Sequence, residues 1–517
     1  MKIGTFDFET DPFLYGRLPV PFAACVYFPT DEPIIIWGDK CAKRAADALK
    51  KLPECKLYAH NSGKFDSWYL IPYANKGTIK IVNGRIMSLR IGKVTLCDSF
   101  PLIPFALELY KKDEINYRLF EADRREKHKG EIIKYLIADC RYLFELLAGF
   151  QEITGKSATI GAAAFSLMSR EGIVIKKRKS AAHDKKFRKY FFGGRTQAVV
   201  QGVHRGKFIV YDLNSAYPHA MTFCHPHGAV YKFSTKLPHN LGAHFVTFQG
   251  KSHGALPLRA DNGGLDFPND NVSRNWHVTG WELAAGIETK TVVIEKIRCV
   301  YTPTELIGFR GYVEKYYGLR KQYKKDGDRI KELATKYLLN SGFGKFAQNA
   351  DLFREYKLCD YFDCPAGFDL EATFGDVNLV GRDAPDETGF IDVATAASIT
   401  GFVRARLWRA MLQTQGLLYI DTDSLICRHF VGFSQKSCQD LGGWKKEKVC
   451  KMVAIAGKKL YALSGEWGEK VVSKGVRLTM TEMLKLCRGE SVTHRKDAPS
   501  FGTKGPRFIE RVIKFVD

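Results

Sequence analysis

Two groups of acidic residues stand in spacings that suit divalent metal ions, and the first lies near the start of the chain. Asp7 and Glu9 are two residues apart in an apolar stretch, so a strand's period of two places both carboxylates on one face. Such neighbours repel each other unless a cation lies between them. Asp66 follows a second strand-like stretch, and Tyr135 and Asp139 share a helix face because they are four residues apart. Each acid alone is more often a solvated surface residue, but together they predict a metal-dependent site.

The second acidic group combines a strand end with a tight turn. The apolar stretch 208–212 delivers the carboxylate of Asp212 to a sheet edge, and the turn Asp421-Thr-Asp423 delivers two more. Asp212 alone would be an ordinary turn residue. The surrounding pattern Tyr-x-Asp-Thr-Asp-Ser, in contrast, has chance odds of ~10⁻⁴ in a chain of this length. This group therefore predicts a second functional cluster of carboxylates.

A helical stretch between these strands presents side chains that suit a nucleotide. Lys336, Asn340 and Phe343 share one helix face, which offers a cation, an amide and a flat ring together. That combination fits a nucleoside triphosphate, with the ammonium group on phosphate oxygens and the ring against a base. Arg320 and Lys324 are four residues apart and would extend the phosphate contact. A plain surface helix is the alternative.

Hydrophobic periodicity predicts the elements that position these residues. Residues 1–150 alternate apolar strands with helices, which is typical of an α/β unit, and a basic connector at 176–189 leads into a second unit. There, 222–303 is mainly β or irregular, whereas 306–348 forms two helices broken at Gly327 and 390–414 forms another. The predicted strands cover residues 2–10, 33–37, 55–59, 93–98, 207–212 and, as a pair around a turn, 417–427.

The net charge and the amino-acid composition limit which classes of function fit this chain. The 517 residues carry 79 Lys and Arg against 56 Asp and Glu, a formal net charge of +23, and such a surplus implies a polyanionic partner. Residues 441–517 hold 17 basic against 8 acidic side chains, which favours nucleic acid over solubility alone. No apolar run reaches ~18 residues and no signal peptide is visible, so we expect a soluble, cytoplasmic protein without a membrane partner. Thirteen cysteines without a framework spacing predict free thiols.

Taken together, these motifs resemble those of the family B DNA polymerases. The N-terminal acids resemble the DxE, Nx(2–3)FD and Yx3D signatures of 3′→5′ proofreading exonucleases, in which four carboxylates hold two divalent ions for phosphodiester hydrolysis. The other matching segments are motif A (Dx2SLYP) at 212–218, motif B (Kx3NSxYG) at 336–344, motif C (YxDTDS) at 419–424, the primer-template motif KxY at 459–461 and the YxGG motif, which links exonuclease and polymerase units, at 191–194. The compact size and Lys112-Asp-Glu-Ile115 followed by Tyr117 resemble the protein-primed branch of small phages and linear plasmids.

The resemblance implies an α/β and α+β multidomain chain, in which an RNase H-like exonuclease domain precedes a right-hand polymerase of palm, fingers and thumb. In protein-primed members, one insertion binds terminal protein and duplex, and a second encircles the template. The predicted boundaries are 1–155 for the exonuclease domain, 156–189 for a connector, 190–260 for the palm with motif A, 261–305 for an insertion resembling terminal-protein region 1, 306–349 for the fingers, 350–388 for an insertion resembling terminal-protein region 2, 389–478 for the palm with motif C and KxY, and 479–517 for the thumb.

The resemblance also implies roles for individual residues. The implied catalytic residues are Asp212, Asp423 and the lesser acid Asp421 in the palm, and Asp7, Glu9, Asp66, Tyr135, Asp139 and Lys112 in the exonuclease domain. The implied nucleotide contacts are Leu213, Tyr217, Arg320, Lys324, Lys336, Asn340 and Phe343. The implied DNA contacts are Thr10, Asn61, Phe65, Ser99, Tyr117, Phe191, Gly193, Gly194, Lys459 and Tyr461.

Cofactors and partners follow from the same resemblance. Two Mg²⁺ or Mn²⁺ ions are implied at each site. Their implied ligands are Asp212, the backbone carbonyl of Leu213 and Asp423 in the palm, and Asp7, Glu9, Asp66 and Asp139 in the exonuclease domain. Tyr217 would lie under the sugar and exclude a 2′-hydroxyl. The implied partners are primer-template DNA, dNTPs, a terminal protein primer and a single-stranded DNA-binding protein.

Three departures from the family pattern stand out. Ala216 replaces a Leu in motif A, Gly342-Phe343 replaces a Leu-Tyr pair in motif B, and Phe191 replaces a Tyr in YxGG. Because Phe keeps the ring and loses only the hydroxyl, we expect retained activity with altered nucleotide contacts or an altered balance between the two activities.

Other functions fit the sequence less well. A degenerate polymerase that only binds DNA is disfavoured because every expected carboxylate is present. An exonuclease alone leaves Lys336 and the Asp-Thr-Asp turn unexplained. A zinc site is disfavoured because its ligands, His219, Cys224, His225 and His227, are too tightly spaced for a C2H2 finger.

Overall fold

The structure is a computed structural model that describes residues 1–13, 17–177, 180–228, 230–261, 263–384, 389–505 and 507–515. Small parts of the predicted connector, of both insertions and of the thumb therefore lie outside the described residues. Within the described ranges, no helix is long and apolar enough to cross a membrane.

The N-terminal unit is a mixed sheet covered by helices. Its elements are β1 (Lys2–Thr10), β2 (Pro21–Tyr27), β3 (Ile34–Trp37), α1 (Cys41–Lys51), β4 (Cys55–Ala59), α2 (Asp66–Tyr69), β5 (Gly77–Val82), β6 (Arg85–Ile91), β7 (Val94–Asp98) and α3 (Lys129–Thr154). β1, β4 and β7 are parallel neighbours, so their carboxyl ends meet at one edge of the sheet. The predicted strands 2–10 and 55–59 are confirmed at both ends, whereas β2 was missed because its buried run lacks alternation.

Helix α3 covers the strands that carry the first acidic pair. Leu136 and Cys140 of α3 pack on Ala23 and Cys25 of β2, and the hydroxyl of Thr5 in β1 donates to the carbonyl oxygen of Cys140 at 2.8 Å. This packing turns the face that holds Tyr135 and Asp139 toward the carboxyl end of β1.

The predicted connector, 156–189, contributes to the hydrophobic core of the second unit. The elements that follow α3 are α4 (Ile160–Arg170), α5 (Ala181–Arg188), β8 (Thr196–Ala198), β9 (Gly202–Leu213), α6 (Ala216–Met221) and β10 (Cys224–Pro226). Ala164 and Met168 of α4 are buried in one cluster with Tyr211, Leu213 and Leu338. The description of 156–189 as a plain connector is therefore wrong, because the small residues of α4 let that helix pack directly on the motif-bearing elements.

A separate sheet follows motif A. Its region contains β11 (Tyr231–Ser234), β12 (Phe245–Ser252), β13 (Leu258–Arg259), β14 (Leu265–Asp266), β15 (Arg274–Thr279), α7 (Gly280–Glu288) and β16 (Val292–Pro303). Four of these strands form one sheet in the order β11, β16, β12, β15. The predicted boundary between residues 260 and 261 is wrong as a structural division because β12 lies between β16 and β15. Helix α7 was missed in a region predicted as β or irregular.

Two helices and a small sheet follow. They comprise β17 (Leu306–Gly308), α8 (Arg310–Asp326), α9 (Arg329–Phe346), β18 (Arg354–Asp360), β19 (Asp369–Phe374) and β20 (Val377–Asp383). The predicted break at Gly327 is confirmed, since this residue caps α8 with a φ of 75°. The second predicted insertion is not an independent unit in the described residues, because β18 pairs with β5 and extends the N-terminal sheet to ten strands.

The last part of the chain completes the sheet of the predicted palm. Its elements are α10 (Val393–Met411), β21 (Thr414–Gln415), β22 (Tyr419–Asp421), β23 (Ser424–Cys427), β24 (His429–Phe430), β25 (Trp444–Gly457), β26 (Leu460–Gly465), β27 (Gly468–Val472), α11 (Met480–Leu486), β28 (Val492–Ser500) and β29 (Arg507–Phe515). Seven strands pair in the order β27, β26, β25, β9, β23, β22, β8. The strands that hold motifs A and C are therefore direct neighbours, although more than 200 residues separate them in sequence.

Candidate active sites

The first acidic group lines a cavity of about 480 Å³ at the carboxyl ends of β1 and β4. Carboxylate oxygens of Asp7, Glu9 and Asp139 lie within 4.8 Å of one another. Asp66, which begins α2, lines the same cavity. The remaining lining residues are Phe8, Phe13, His60, Asn61, Lys64, Phe65, Lys112, Tyr117 and Tyr135. Every carboxylate predicted for this site is thus brought to one place.

Burial and mutual repulsion raise the pKa of each of these carboxyl groups. Burial, followed by the charges of Asp66 and Glu9, raises the pKa of Asp7 well above its usual range. Burial, aided by the charge of Asp139, raises the pKa of Glu9 to about 8. Asp66 rises to a pKa of about 7, mainly through burial. Ionisation of these carboxyl groups together is therefore unfavourable in the folded chain, because the charges would repel one another in a place where water solvates them poorly.

The donor set fits a divalent cation. Oδ1 of Asp139 is buried without a hydrogen-bond partner, and Nζ of Lys112 lies 3.6 Å from Oδ2 of the same residue. Lys64 and Lys112 both line the cavity, and Lys64 donates to the backbone carbonyl oxygens of Asn83 and Gly84, so the two ammonium groups offset only part of the charge of the four acids. Carboxylate oxygens are the ligands that Mg²⁺ and Mn²⁺ prefer.

The loop that carries Asn61 and Asp66 is held by a buried ion pair that sequence reasoning missed. Asp98, whose side chain is fully buried, pairs with Arg85, and its Oδ2 accepts from the backbone N–H of Gly63 at 3.2 Å. The position of Asp98 at the end of a predicted strand was the available signal. This pair fixes the backbone immediately before Asp66.

Ser99 is not available as a DNA contact. Its side chain is buried, and its hydroxyl lies 3.0 Å from Nδ1 of His60 and 3.3 Å from the carbonyl oxygen of Ala59. Nε2 of His60 donates to the carbonyl oxygen of Phe105 at 2.9 Å. The prediction for Ser99 is therefore wrong, because the residue orients His60, which lines the cavity and stands directly before the Asn61 motif. Thr10 does not line the cavity either.

Aromatic rings form one wall of this cavity. Phe65 contacts Phe13, Tyr69 and Phe501 with ring centroids 5.2 to 5.7 Å apart. The hydroxyl groups of Tyr117 and Tyr135, which also line the cavity, are 3.2 Å apart. Phe501 follows β28, so the predicted thumb contacts a residue that lines the N-terminal cavity.

The second acidic group lines a cavity of about 440 Å³ on the palm sheet. Asp212 lies near the end of β9 and pairs with Ser424 of β23, while Thr422 forms the turn between β22 and β23 with a φ of 59°. This left-handed conformation is unfavourable for a β-branched residue. Its backbone N–H donates to the carbonyl oxygen of Arg195 at 2.6 Å, and the N–H of Leu213 donates to that of Asp423 at 2.7 Å. These bonds hold the turn against the end of β9.

The three acids of the predicted palm differ in their electrostatic surroundings. Burial and the charge of Asp423 raise the pKa of Asp212 to about 7, and burial and the charge of Asp421 raise that of Asp423 to about 6. Asp421 instead pairs with the ammonium group of Lys459 and accepts from the hydroxyl of Thr196 at 3.2 Å. Among the described residues, Asp212 and Asp423 have no such cationic partner. A divalent ion between these two carboxylates would supply one.

Motifs A and B meet through two stacked rings. Tyr217 and Phe343 lie with centroids 4.2 Å apart and planes inclined by 15°. Gly194 approaches the same tyrosine so closely that an added Cβ would lie 3.1 Å from the Tyr217 hydroxyl and 2.7 Å from Cγ2 of Thr422. Close packing also explains the glycine at position 342, since an added Cβ would lie 2.7 Å from Cε of Met168. The departure at position 342 thus permits close packing of α4 on α9.

The basic residues of α8 and α9 differ in their placement. Nη1 of Arg320 lies 3.4 Å from Oγ of Ser215 in motif A. Lys336 and Asn340 follow the face of α9 that carries Phe343, with Asn340 exposed. Lys324 is exposed near the end of α8, and no described contact ties it to motif A. The structure therefore brings Arg320 to the palm and leaves Lys324 at the helix surface.

The four residues weighed as zinc ligands do not form a site. His225 bonds to Ser398 and to the carbonyl oxygen of Ala220, and His227 lies 3.0 Å from Asp392. His219 accepts from Arg406 at 2.8 Å, and Cys224 is exposed. In the described part of the chain, the only group of three or more candidate ligands within this reach is Asp7, Glu9 and Asp139.

Comparisons with known proteins cover both cavities. The family described as DNA polymerase type B, organellar and viral, matches residues 105–368. The DNA-directed DNA polymerase of Enterobacteria phage PRD1 is 35% identical to this chain, over 99% of this chain and 98% of that protein. Among solved structures, phi29 DNA polymerase complexed with primer-template DNA has a TM-score of 0.76 at 17% identity, and its complex with primer-template DNA and incoming nucleotides has 0.74 at 16%. Both cover 99% of this chain and 100% of theirs, which shows a shared fold.

We predict that Gly194 and Gly193 differ sharply in their tolerance of alanine. Gly194→Ala should lower the free energy of unfolding by about 1–3 kcal/mol, because its Cβ would overlap Thr422. Gly193→Ala, where no atom lies within 4 Å of the added Cβ, should change it by less than about 0.5 kcal/mol. Urea denaturation of both variants measures the difference, and equal losses would contradict the packing described.

We predict that, when a chelator removes divalent ions, the free energy of unfolding depends on pH through the carboxyl group of Glu9. The pKa of Glu9 is raised to about 8 in the folded chain, so folding retains a proton that the unfolded chain has released. The protonated carboxyl group of Glu9 therefore contributes favourably to the free energy of unfolding at low pH, and this contribution is lost as pH rises from about 5 through 8. Denaturation in chelator should show this decline for wild type and for the exposed control Glu108→Gln, and less of it for Glu9→Gln. Identical pH profiles for wild type and Glu9→Gln would contradict it.

Proposed function

The chain belongs to the organellar and viral DNA polymerases of type B and is a DNA-directed DNA polymerase, and we propose that its two carboxylate cavities perform opposite reactions on DNA. The palm cavity extends a primer, and the N-terminal cavity removes nucleotides from a 3′ end. The observation that carries this proposal is the pair Asp212 and Asp423, which share one cavity without a cationic partner among the described residues. The predicted membership of family B is confirmed by the family match and by 35% identity over nearly the whole chain, and the protein-primed branch stays a prediction.

In the palm cavity, Asp212 and Asp423 are the proposed ligands of two Mg²⁺ or Mn²⁺ ions, with the carbonyl of Leu213 as a further ligand. Ions held there lower the pKa of a primer hydroxyl and stabilise charge on the phosphoryl group being transferred. Asp421 acts mainly through Lys459, with which it pairs. Lys459 and Tyr461 both line the cavity, where they would contact the primer strand.

Nucleotide selection is assigned to the elements around Tyr217. Arg320 and Lys336 supply positive charge for the triphosphate from α8 and α9, with Asn340 beside them and Lys324 as a more distant contribution. The ring of Tyr217 cannot retreat, because Phe343 stacks on it and Gly194 lies against its hydroxyl. A ring held in this way leaves no space for a 2′-hydroxyl on the incoming sugar.

In the N-terminal cavity, Asp7, Glu9, Asp66 and Asp139 are the proposed metal ligands of a 3′→5′ exonuclease. Lys112, which lies 3.6 Å from Asp139, would stabilise charge on the scissile phosphate. Tyr135 would orient the attacking water, and Asn61, Phe65 and Tyr117 would contact the single strand, since all of them line the cavity. Phe65 offers a ring for base stacking.

The proposed partners are primer-template DNA and dNTPs. The net charge of +23 supports a polyanionic partner, and the structurally similar phi29 DNA polymerase has been solved with both kinds of molecule. Phe191, Gly193 and Gly194 join the two units and would lie along the strand that passes between the cavities. A terminal protein primer and a single-stranded DNA-binding protein stay predictions from the resemblance.

We predict that Asp212→Ala or Asp423→Ala lowers primer extension by roughly 10³-fold or more, because each removes a ligand and hence transition-state charge stabilisation. Digestion of single-stranded DNA should continue in both variants, since the N-terminal acids line a different cavity that shares no lining residue with this one. Extension of a labelled primer and digestion of a 5′-labelled oligonucleotide measure the two activities. Extension within about tenfold of wild type in both variants would overturn the assignment.

The reciprocal prediction concerns Asp7→Ala combined with Glu9→Ala. This double variant should lose 3′→5′ digestion and keep primer extension, because it removes two of the three clustered carboxylates. Lys112→Ala should weaken digestion more than it weakens binding of single-stranded DNA, since its ammonium group adjoins Asp139. Continued 3′ shortening of a 5′-labelled oligonucleotide by the double variant would refute this site.

We predict that Tyr217 excludes ribonucleotides through its ring. Tyr217→Val should raise the relative kcat/KM for an rNTP by roughly 10²-fold, whereas Tyr217→Phe should change it little because the stacking ring remains. Steady-state kcat/KM values for a matched dNTP and rNTP measure the ratio. A parallel fall for both substrates in Tyr217→Val would instead indicate a purely structural tyrosine.

A further inference from the structure

A buried carboxylate at the start of α9 lies between two arginines, and none of the sequence motifs contains it. Glu332 belongs to the first turn of α9 and is only 8% exposed. Its Oε2 accepts from Nη1 of Arg329 at 2.6 Å, and its Oε1 lies 3.9 Å from Nη2 of Arg320 on α8. A carboxylate with so little access to water is unfavourable without cationic partners. The two guanidinium groups therefore make the burial of Glu332 possible.

Arg320 connects Glu332 to motif A. Tyr317 and Arg320 are three residues apart on α8, so they lie on one face of that helix. The hydroxyl of Tyr317 accepts from Nδ2 of Asn214 at 2.6 Å, and Nη1 of Arg320 lies 3.4 Å from Oγ of Ser215. The other terminal nitrogen of Arg320, Nη2, is the one that faces Glu332. The guanidinium group of Arg320 thus bridges motif A and α9.

The position of Arg320 depends on the charge of Glu332. In the part of the chain that the structure describes, Glu332 is the one carboxylate that pairs with Arg320. The hydroxyl of Ser215 is a neutral acceptor at a long distance, and an arginine side chain carries ~2 kcal/mol of rotamer entropy that favours its release. Arg329 pairs with the same carboxylate. Without the charge of Glu332, the two guanidinium groups would repel each other and Arg320 would keep only the contact with Ser215.

We propose that Glu332 is a positioning residue for the incoming nucleotide, which holds the guanidinium group of Arg320 beside motif A, where that group binds the triphosphate. This inference rests on the proposed role of Arg320 in triphosphate binding. Glu332 acts through Arg320 and does not itself contact the nucleotide. Its own negative charge repels a triphosphate, so its two effects on nucleotide binding have opposite signs. The proposal states that the ordering of Arg320 outweighs the repulsion.

A double-mutant cycle in primer extension tests the proposal, with KM for a matched dNTP as the measured quantity. In the full-length chain, Arg320→Gln should raise KM roughly tenfold, and Glu332→Gln should raise it about three- to tenfold although it removes a repulsive charge. Glu332→Asp keeps the charge and should lie closer to wild type than Glu332→Gln does. In the Arg320→Gln background, Glu332→Gln should raise KM by less than about twofold, because the group that it positions is already gone.

A matched control removes the same charge from the neighbouring helix. Glu314 is exposed on α8 and pairs with Arg310, so Glu314→Gln should change KM by less than about twofold. A second readout does not depend on catalysis. With a dideoxy-terminated primer, the dNTP concentration that half-saturates the complex of enzyme, DNA and nucleotide should rise in Glu332→Gln by the same factor as KM. Glu332→Asp provides the same comparison with the buried charge retained.

The outcomes separate this proposal from the one on which it rests. A raised KM in Arg320→Gln together with an unchanged or lowered KM in Glu332→Gln would overturn the role of Glu332 alone, because repulsion would then outweigh positioning. An equal rise of KM from Glu332→Gln in both backgrounds would also overturn it, since Glu332 would then act through the stability of α9 and not through Arg320. An unchanged KM in Arg320→Gln would instead refute the assignment of Arg320 to the triphosphate.

Discussion

Repulsion between neighbouring, poorly solvated carboxylates is the constraint on which both sites of this polymerase depend. Asp7, Glu9 and Asp139 bring their oxygens within 4.8 Å of one another, and Asp212 and Asp423 share a second cavity. Burial raises the pKa of each group, so the folded chain carries an electrostatic cost wherever these acids are ionised. A divalent cation converts that cost into attraction. Asp98 and Asp421 differ from these acids because each forms an ion pair with a basic side chain. Asp98 pairs with Arg85, and Asp421 pairs with Lys459.

The fold meets this constraint at the edges of two sheets. In the N-terminal unit, the parallel strands β1 and β4 end together, so Asp7 on β1 and Asp66 at the start of α2 come to one place, and α3 covers them with Asp139. In the palm, the turn at Thr422 sets motif C beside the end of β9. The two cavities remain distinct, yet they are not isolated. β18 joins the N-terminal sheet, and Phe501 contacts Phe65, which lines the N-terminal cavity.

The chemistry of short motifs could be predicted from the sequence, whereas contacts between residues that are far apart in the chain could not. The Asp-Thr-Asp turn and the Asp7–Glu9 spacing could be predicted because both depend on a few adjacent residues. Ser99 was misjudged because its burial depends on His60 and Phe105, which come from other segments. For the same reason the boundary at residue 260 divided a sheet whose strands pair across it.

Anomalous diffraction from crystals soaked in Mn²⁺ tests the central claim most directly, namely that both carboxylate groups are built around divalent cations. The account predicts anomalous peaks in two places, one among Asp7, Glu9 and Asp139 and one between Asp212 and Asp423. It also predicts that Lys459 stays paired with Asp421 when the palm ion is bound. Crystals that show no anomalous peak at either group at saturating Mn²⁺, with the carboxylates as close as they are here, would contradict it.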